Sequence, residues 1–181
     1  RALQSHPSEL LGGRVENGEP ANTAARFNQA LVTALQEITS GTPGWFFSSN
    51  NFCLAARQFY EFGGFDESFP EAAGEDRDFC VRWQRSGGAM RTVPAAIVHH
   101  HHPQSVRACW EMHYRYGEAA RRLHHRESSG LRIRTEALIV TLLRRGFWWT
   151  TILSQAAVAS GYFGWTRPFV LRLAALFLIL L

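Results

Sequence analysis

All three aspartates of the chain lie between Asp66 and Asp78, and two of them belong to the run Glu75-Asp76-Arg77-Asp78. Gly74 before this run and the apolar Phe79-Cys80 after it mark it as the first turn of a helix. At a helix start, backbone N–H groups and the helix dipole favour carboxylates in their ionised form. An ionised carboxylate beside a cleft is what a general base requires, provided a hydroxyl lies within hydrogen-bond reach. Acids in a first turn also serve simply to stabilise the helix, so the local sequence leaves both readings open.

A second chemical signal is the histidine run, residues 99–102. In an extended segment successive side chains point to opposite faces, so only alternate histidines converge, His100 with His102 or His99 with His101. Two histidines without a nearby carboxylate are too few for a closed metal site. A histidine-rich loop bonded to backbone is the other reading. Asn50 and Asn51 suit hydrogen bonding to sugar hydroxyls or the forming of a turn. Trp45 and Phe46 suit stacking on a sugar face or, as the preferred reading, core filling. Arg82 and Arg85, one helical turn apart, read as a solvated face. His113, His124 and His125 read as surface residues of helices.

The elements that must position these groups alternate between strand and helix. Residues 10–15 form a short apolar stretch in which Gly12-Gly13 predicts a strand entering a turn. Asn22 can cap a helix running to about Thr39, with Phe27, Leu31, Leu35 and Ile38 on one stripe. Residues 45–54 read as a strand or extended loop. A short helix over 56–62 ends at Gly63-Gly64, and the acid-bearing helix over 75–86 ends at Gly87-Gly88, burying Phe79, Cys80 and Trp83. Two short strands, 90–93 and 95–98, are expected on either side of Pro94. Ser105 can cap a long helix through Tyr114 and Arg121, and Gly130 separates it from a further helical stretch.

The net charge is +4, and all 19 basic residues are arginine, scattered rather than gathered into a patch for nucleic acid. Attraction to an anionic membrane surface fits their distribution better. The three cysteines, Cys53, Cys80 and Cys109, lack metal-type spacing and read as reduced thiols of a cytosolic setting. Residues 147–163 carry no formal charge, with Arg144 and Arg145 before and Arg167 and Arg172 after. This length is at the lower limit for crossing a bilayer, and Ser154, Gln155, Ser160 and Gly161 suit a lipid-exposed helix poorly. A helix in the membrane interface, half of a re-entrant pair, or a packing element are the readings; a last apolar run follows at 169–181. The opening Arg1-Ala2-Leu3-Gln4 reads as the middle of a protein, with further sequence expected upstream.

The order of features adds a more specific signal. "SSNNFCLAARQFYEFGGFDESF", then "GEDRDFCVRW", then "VPAAIVHHHH" resembles the second half of the catalytic domain of family 2 glycosyltransferases. Each piece alone is weak, but Gly63-Gly64-Phe65-Asp66-Glu67 followed closely by Glu75-Asp76-Arg77-Asp78 is specific. The resemblance covers roughly residues 10–117 and implies an α/β fold: the acceptor-side half of a GT-A, Rossmann-like domain with a mixed sheet. That half would span 1–127, followed over 128–181 by a helical, partly membrane-associated tail. It further implies an inverting transfer from a nucleotide-sugar donor to an acceptor hydroxyl of a glycan or lipid-linked acceptor, or in secondary-metabolite glycosylation. A divalent metal, Mg or Mn, would be held mainly by a D-x-D motif in the nucleotide-binding half, which is not in this chain; Asp76-Arg77-Asp78 spells D-x-D but stands at the acceptor-side position.

By the same resemblance Asp76 is the catalytic base, and Glu75 positions the acceptor or the base. Asp78 bonds backbone or an arginine. Asn50, Asn51, Gly64, Phe65, Asp66 and Glu67 line the acceptor region, and His100, with His102 on its side, approaches the metal or diphosphate. Gln104-x-x-Arg107 is similar to a motif of processive synthases, but Ala108 stands where tryptophan belongs, which argues against a processive enzyme. Such enzymes work at the cytoplasmic face of the cell membrane or in the cytoplasm, and this half alone is expected not to turn over. The alternative is a non-catalytic, membrane-associated binding or assembly module. A metal-dependent hydrolase built on the histidine run lacks a second ligand cluster and a nucleophile.

Overall fold

The computed structural model of the chain describes residues 2–42, 44–69, 73–102, 105–126 and 148–164, together with 144 and 146. Its elements in chain order are α1 (Ala2–Ser5), β1 (Leu10–Asn17), α2 (Thr23–Thr39), a 3-10 turn (Ser49–Asn51) and β2 (Phe52–Cys53). They continue with α3 (Ala56–Glu61), α4 (Glu75–Arg85), β3 (Met90–His100), α5 (Val106–Arg126) and α6 (Trp148–Phe163). The sheet is mixed, as expected. Its order is β2-β1-β3, with β1 antiparallel to β2 and parallel to β3. A parallel pair needs a long crossover, and here that crossover carries α2, α3 and the acid-bearing α4.

The helix starts follow the sequence closely. The Asn22 side chain accepts from Ala25 N at 3.0 Å, and the Ser105 hydroxyl accepts from Ala108 N at 3.1 Å. Each satisfies one of the orphan donors of a first helical turn. Phe27 and Leu31 are buried along the inner stripe of α2, with Leu35 and Ile38 packed beside them.

Two strand expectations are corrected. Gly12-Gly13 does not end β1, which runs on to Asn17. The glycines are there for close approach: a Cβ on Gly12 would sit 2.0 Å from the Phe47 ring, and one on Gly13 would sit 2.3 Å from the Ala96 carbonyl. Pro94 does not divide two strands either, because β3 is continuous with a bulge. Gly13 pairs with Val93, but Arg14 pairs with Ile97. Proline has no N–H to give a ladder, so a bulge is where a strand tolerates it. Asn51 repairs the gap, donating from Nδ2 to the carbonyls of Arg14 (2.7 Å) and Ala96 (3.0 Å).

The core lies between the sheet and α4. Phe79 is fully buried and meets Phe52, Phe59, Phe62 and Phe65 at ring-centroid distances of 5.4–5.7 Å, with Trp83 stacked at 6.4 Å. Offset and edge-to-face geometries of this kind add to plain apolar burial. Trp45 and Phe46 belong to the same cluster, which settles their role as core. Cys80 is buried against the Phe47 backbone, and burial pushes its thiol up to about 12. All three cysteines are free.

Arg82 is not on a solvated face. Its Nε donates to Asp78 Oδ2 at 2.7 Å, its Nη2 donates to the Gly64 carbonyl at 2.8 Å, and its guanidinium covers the Phe62 and Phe79 rings. Asp78 thus has the arginine partner expected of it. His113 is a further correction. It lies buried at 2% exposure, edge-on to Phe27 at 5.7 Å, because its position on α5 faces α2 rather than solvent. The side chains of His124 and His125 lie outside the described residues, as do the stretch after Gly130 and the run at 169–181.

α6 packs on α5 through two small residues. A Cβ on Gly117 would sit 2.0 Å from the Val158 carbonyl, and one on Gly161 would sit 1.9 Å from the Tyr114 carbonyl. The uncharged stretch is therefore a packing element against the preceding helix, and among the described residues no helix is long and apolar enough to cross a membrane.

Removing a partner from a buried, hydrogen-bonded ion pair leaves an uncompensated charge. Arg82→Leu should therefore cost about 2–4 kcal/mol in urea unfolding. Arg82→Lys should recover only part of that, since a single ammonium replaces the guanidinium fork that holds Asp78 and Gly64 together.

Candidate active site

The acids at the start of α4 face the turn that leads into β2. Gly74, at φ +87°, ends the preceding loop in a left-handed conformation and brings Glu75 and Asp76 into the first turn. The Ser49 N–H donates to Asp76 Oδ2 at 3.1 Å, and the Arg77 N–H to Oδ1 at 2.7 Å. Both carboxylate oxygens are thereby oriented by backbone donors from two separate segments. Beside it, Glu75 Oε2 is buried with no hydrogen-bond partner among the described residues.

The helix start does not hold the Asp76 carboxyl in the low range that the sequence suggested. Burial pushes the Asp76 carboxyl up to about 6; the Ser49 N–H opposes the rise, Glu75 adds to it, and the Arg77 N–H opposes it in turn. Desolvation penalises the charged form by more than two backbone donors and a helix terminus return. A carboxylate with a pKa just below neutral is ionised in the cell yet still a usable proton acceptor.

Tyr116 of α5 was missed by the sequence reading. Burial, followed by the charges of Asp76 and Glu75, pushes its phenol up to about 12, so it stays protonated. The available signal was the helical spacing of Cys109, His113 and Tyr116, which places all three on one face of α5.

The acceptor-region residues divide by what holds them. Asn51 Nδ2 is committed to the two strand carbonyls, whereas Asn50 is exposed on the 3-10 turn. Gly63 and Gly64, at φ +91° and +62°, end α3; their N–H groups donate to the Tyr60 and Phe59 carbonyls. Phe65 packs into the Phe79 cluster. Asp66 Oδ1 accepts from Ser68 N at 2.8 Å, and Glu67 is exposed beside it. Gly64, Phe65 and Asp66 thus fix the loop that precedes α4, and Glu67 and Asn50 are the side chains of this set that face solvent.

The histidines alternate as expected. His99 and His101 are exposed and His102 is buried, while His100 Nδ1 lies 3.4 Å from His102 Nε2. Gln29 gives its amide N–H groups to the Val15 carbonyl and the Thr33 hydroxyl, which turns Oε1 toward His102 Nε2 at 3.0 Å. His102 Nε2 must then carry the proton and donate. Burial, with His100 second, pushes His102 down to about 4, and burial and His101 lower His100. Both are neutral at pH 7. His101 Nδ1 contacts Glu19 Oε1 at 2.9 Å.

A mixed α/β sheet with an acid-bearing helix set against its loops is an arrangement used by sugar-transferring enzymes. The family model described as glycosyl transferase family group 2 matches residues 14–181, and the chain belongs to that family. No curated protein and no solved structure matches it. The mixed sheet fits a GT-A-like fold, and membership makes this a glycosyltransferase whose partners are a nucleotide-sugar donor and an acceptor. The family generally uses a divalent metal. Among the described residues no group of three or more His, Cys, Asp or Glu side chains converges to hold one. His102, occupied as a donor to Gln29, does not supply an open Nε2, so these residues by themselves do not fit a metal.

A carboxyl raised from 3.8 to about 6 binds its proton more tightly in the folded than in the unfolded chain. Stability then falls as pH rises from about 4 to about 6, and the full penalty remains above that. Asp76→Asn should accordingly raise stability at pH 7–8 by on the order of 1–2 kcal/mol and leave it unchanged near pH 3. Ser49 opens a 3-10 turn after an extended Ser48, a position proline can occupy. Ser49→Pro removes the N–H donor, and a carbon-13 NMR titration should place the Asp76 midpoint above its wild-type value.

Proposed function

We propose that this chain provides the acceptor side and the general base of an inverting glycosyl transfer. The observation that carries the reading is Asp76: a carboxylate poised near pH 6, with both oxygens oriented by backbone N–H groups, beside a second acid with an unpartnered buried oxygen. In the proposed reaction the acceptor hydroxyl attacks the anomeric carbon of the nucleotide-sugar. Its proton passes to Asp76 as the new glycosidic bond forms. The bond from the anomeric carbon to the diphosphate breaks on the opposite face, and the nucleoside diphosphate leaves with the electron pair. Glu75 Oε2 accepts a hydrogen bond from the acceptor and positions it.

The nucleotide and its metal are assigned to residues outside those described, with His100 at the edge facing the diphosphate. As a neutral imidazole it would act as a hydrogen-bond donor rather than a counter-charge. Asn50 and Glu67, both exposed, are the proposed polar contacts to acceptor sugar hydroxyls. An acceptor exposed on a glycan or lipid-linked chain, presented at the cytoplasmic face of the membrane, suits the scattered arginines.

In the enzyme carrying both halves, Asp76→Asn should lower kcat by at least 100-fold while leaving donor hydrolysis and donor KM nearly unchanged. Glu75→Gln should act mainly on acceptor KM. Normal turnover of Asp76→Asn would remove Asp76 as the base, and a product of retained anomeric configuration by NMR would remove the inverting mechanism.

A further inference from the structure

Two arginines from different helices hold backbone carbonyls of the loop that follows α3. Arg82 of α4 donates to the Gly64 carbonyl at 2.8 Å, and Nη1 of Arg122 on α5 donates to the Ser68 carbonyl at 2.9 Å. Between them Phe65 is seated in the aromatic cluster, 5.6 Å from the Phe79 ring. Residues 66–69 form a turn closed from within. The Phe69 N–H donates to the Asp66 carbonyl at 3.2 Å, and the Ser68 N–H donates to Asp66 Oδ1 at 2.8 Å. Glu67 occupies the second position of that turn and is exposed.

α5 reaches this turn because it is seated against the start of α4. A Cβ on Gly74 would sit 2.9 Å from Ala119 Cβ and 3.7 Å from Leu123 Cδ1. Ala119 and Leu123 are buried at 6% and 3% exposure. Arg122 lies one helical turn past Ala119, at the border of that buried face. One helix thus abuts the residue that precedes Glu75 and Asp76 and also grips the turn that bears Glu67.

We propose that Arg122 is a positioning residue for the acceptor: through the Ser68 carbonyl it holds the turn that presents Glu67. This rests on the reading of Glu67 as a polar contact to acceptor hydroxyls. A loose surface turn has to be ordered when a ligand binds, and a turn fixed beforehand avoids that cost. A guanidinium suits the task, since a hydrogen bond from a charged donor is stronger than one between neutral groups. The gain falls on acceptor binding, so it appears in acceptor KM and leaves kcat and donor KM alone. Arg82, by contrast, also pairs with Asp78 and covers two core rings, so its loss disturbs the core as well as the loop.

In the chain itself, nitrogen-15 relaxation should give the Glu67 N–H a lower order parameter in Arg122→Ala than in the wild type. Arg122→Lys should stay close to wild type, because an ammonium can also donate to the Ser68 carbonyl. In the enzyme carrying both halves, the acceptor probe is the octyl glycoside that it glycosylates fastest. With that probe Arg122→Ala should raise acceptor KM about three- to tenfold at unchanged kcat and donor KM, and Arg122→Lys should remain within about twofold of wild type. Glu67→Gln should raise the same KM, and adding Arg122→Ala to it should raise it no further, since both changes act on one contact. An acceptor KM untouched by Glu67→Gln would remove Glu67 as the contact, and the proposal with it. A raised KM in Glu67→Gln alongside a wild-type KM in Arg122→Ala would overturn the proposal alone. So would an Arg122→Ala effect that adds in full to that of Glu67→Gln, or an unaltered Glu67 order parameter. A fall in kcat with a rise in donor KM in Arg122→Ala would overturn it too, as the mark of a general loss of structure.

Discussion

Phe79 meets five aromatic rings from β2, from α3, from the segment after α3 and from α4 itself, and the placing of these elements depends on its burial. The two-residue β2 has too few ladder bonds to place anything, and α3 is less than two turns long. What fixes them is the shared face of one ring. The Arg82 guanidinium then closes the cluster from outside, joining Asp78 on α4 to the Gly64 carbonyl. Dispersion and apolar burial hold the loop laterally, and a charge-assisted fork sets its height. The first turn of α4, with Glu75 and Asp76, projects from this anchored helix and so is rigid at its root.

The chemistry of Asp76 arises from a competition. A helix start and two backbone N–H groups favour the anion, while burial and a neighbouring acid oppose it. The opposition wins, which leaves the carboxyl at about 6. The same residue therefore weakens the folded state. Taking the charge out of water costs the folded state more than the backbone donors return.

Helices were legible because their determinants are local. Asn22 and Ser105 cap where a short polar side chain precedes an apolar stripe, and Gly63, Gly64 and Gly87 end helices where positive φ is needed. The placing of Glu75 and Asp76 in a first helical turn was legible from Gly74 before them and the apolar Phe79-Cys80 after them. Long-range facts were not. Gly12-Gly13 looked like a turn because the reason for the glycines, the Phe47 ring and the Ala96 carbonyl, is remote in sequence. Arg82 and His113 looked solvated because their partners, Gly64 and Phe27, come from other elements. Asp76 was taken as simply ionised because the helix start can be read from sequence and the desolvation cannot.

The bulge at Pro94 carries one more implication. From Gly13 to Arg14 the first strand advances one residue, whereas its partner advances four, from Val93 to Ile97, so three residues are looped out between them. Because side chains alternate along a strand, an odd insertion inverts which residues look inward. The histidine run is thus out of phase with the strand that leads into it, and this selects His100 and His102, rather than His99 and His101, for the side facing Gln29. Asn51 guards that phase by tying off the carbonyls the loop sets loose. Identity along this strand is written in the side chains, but polarity of facing is written in the length of a three-residue detour.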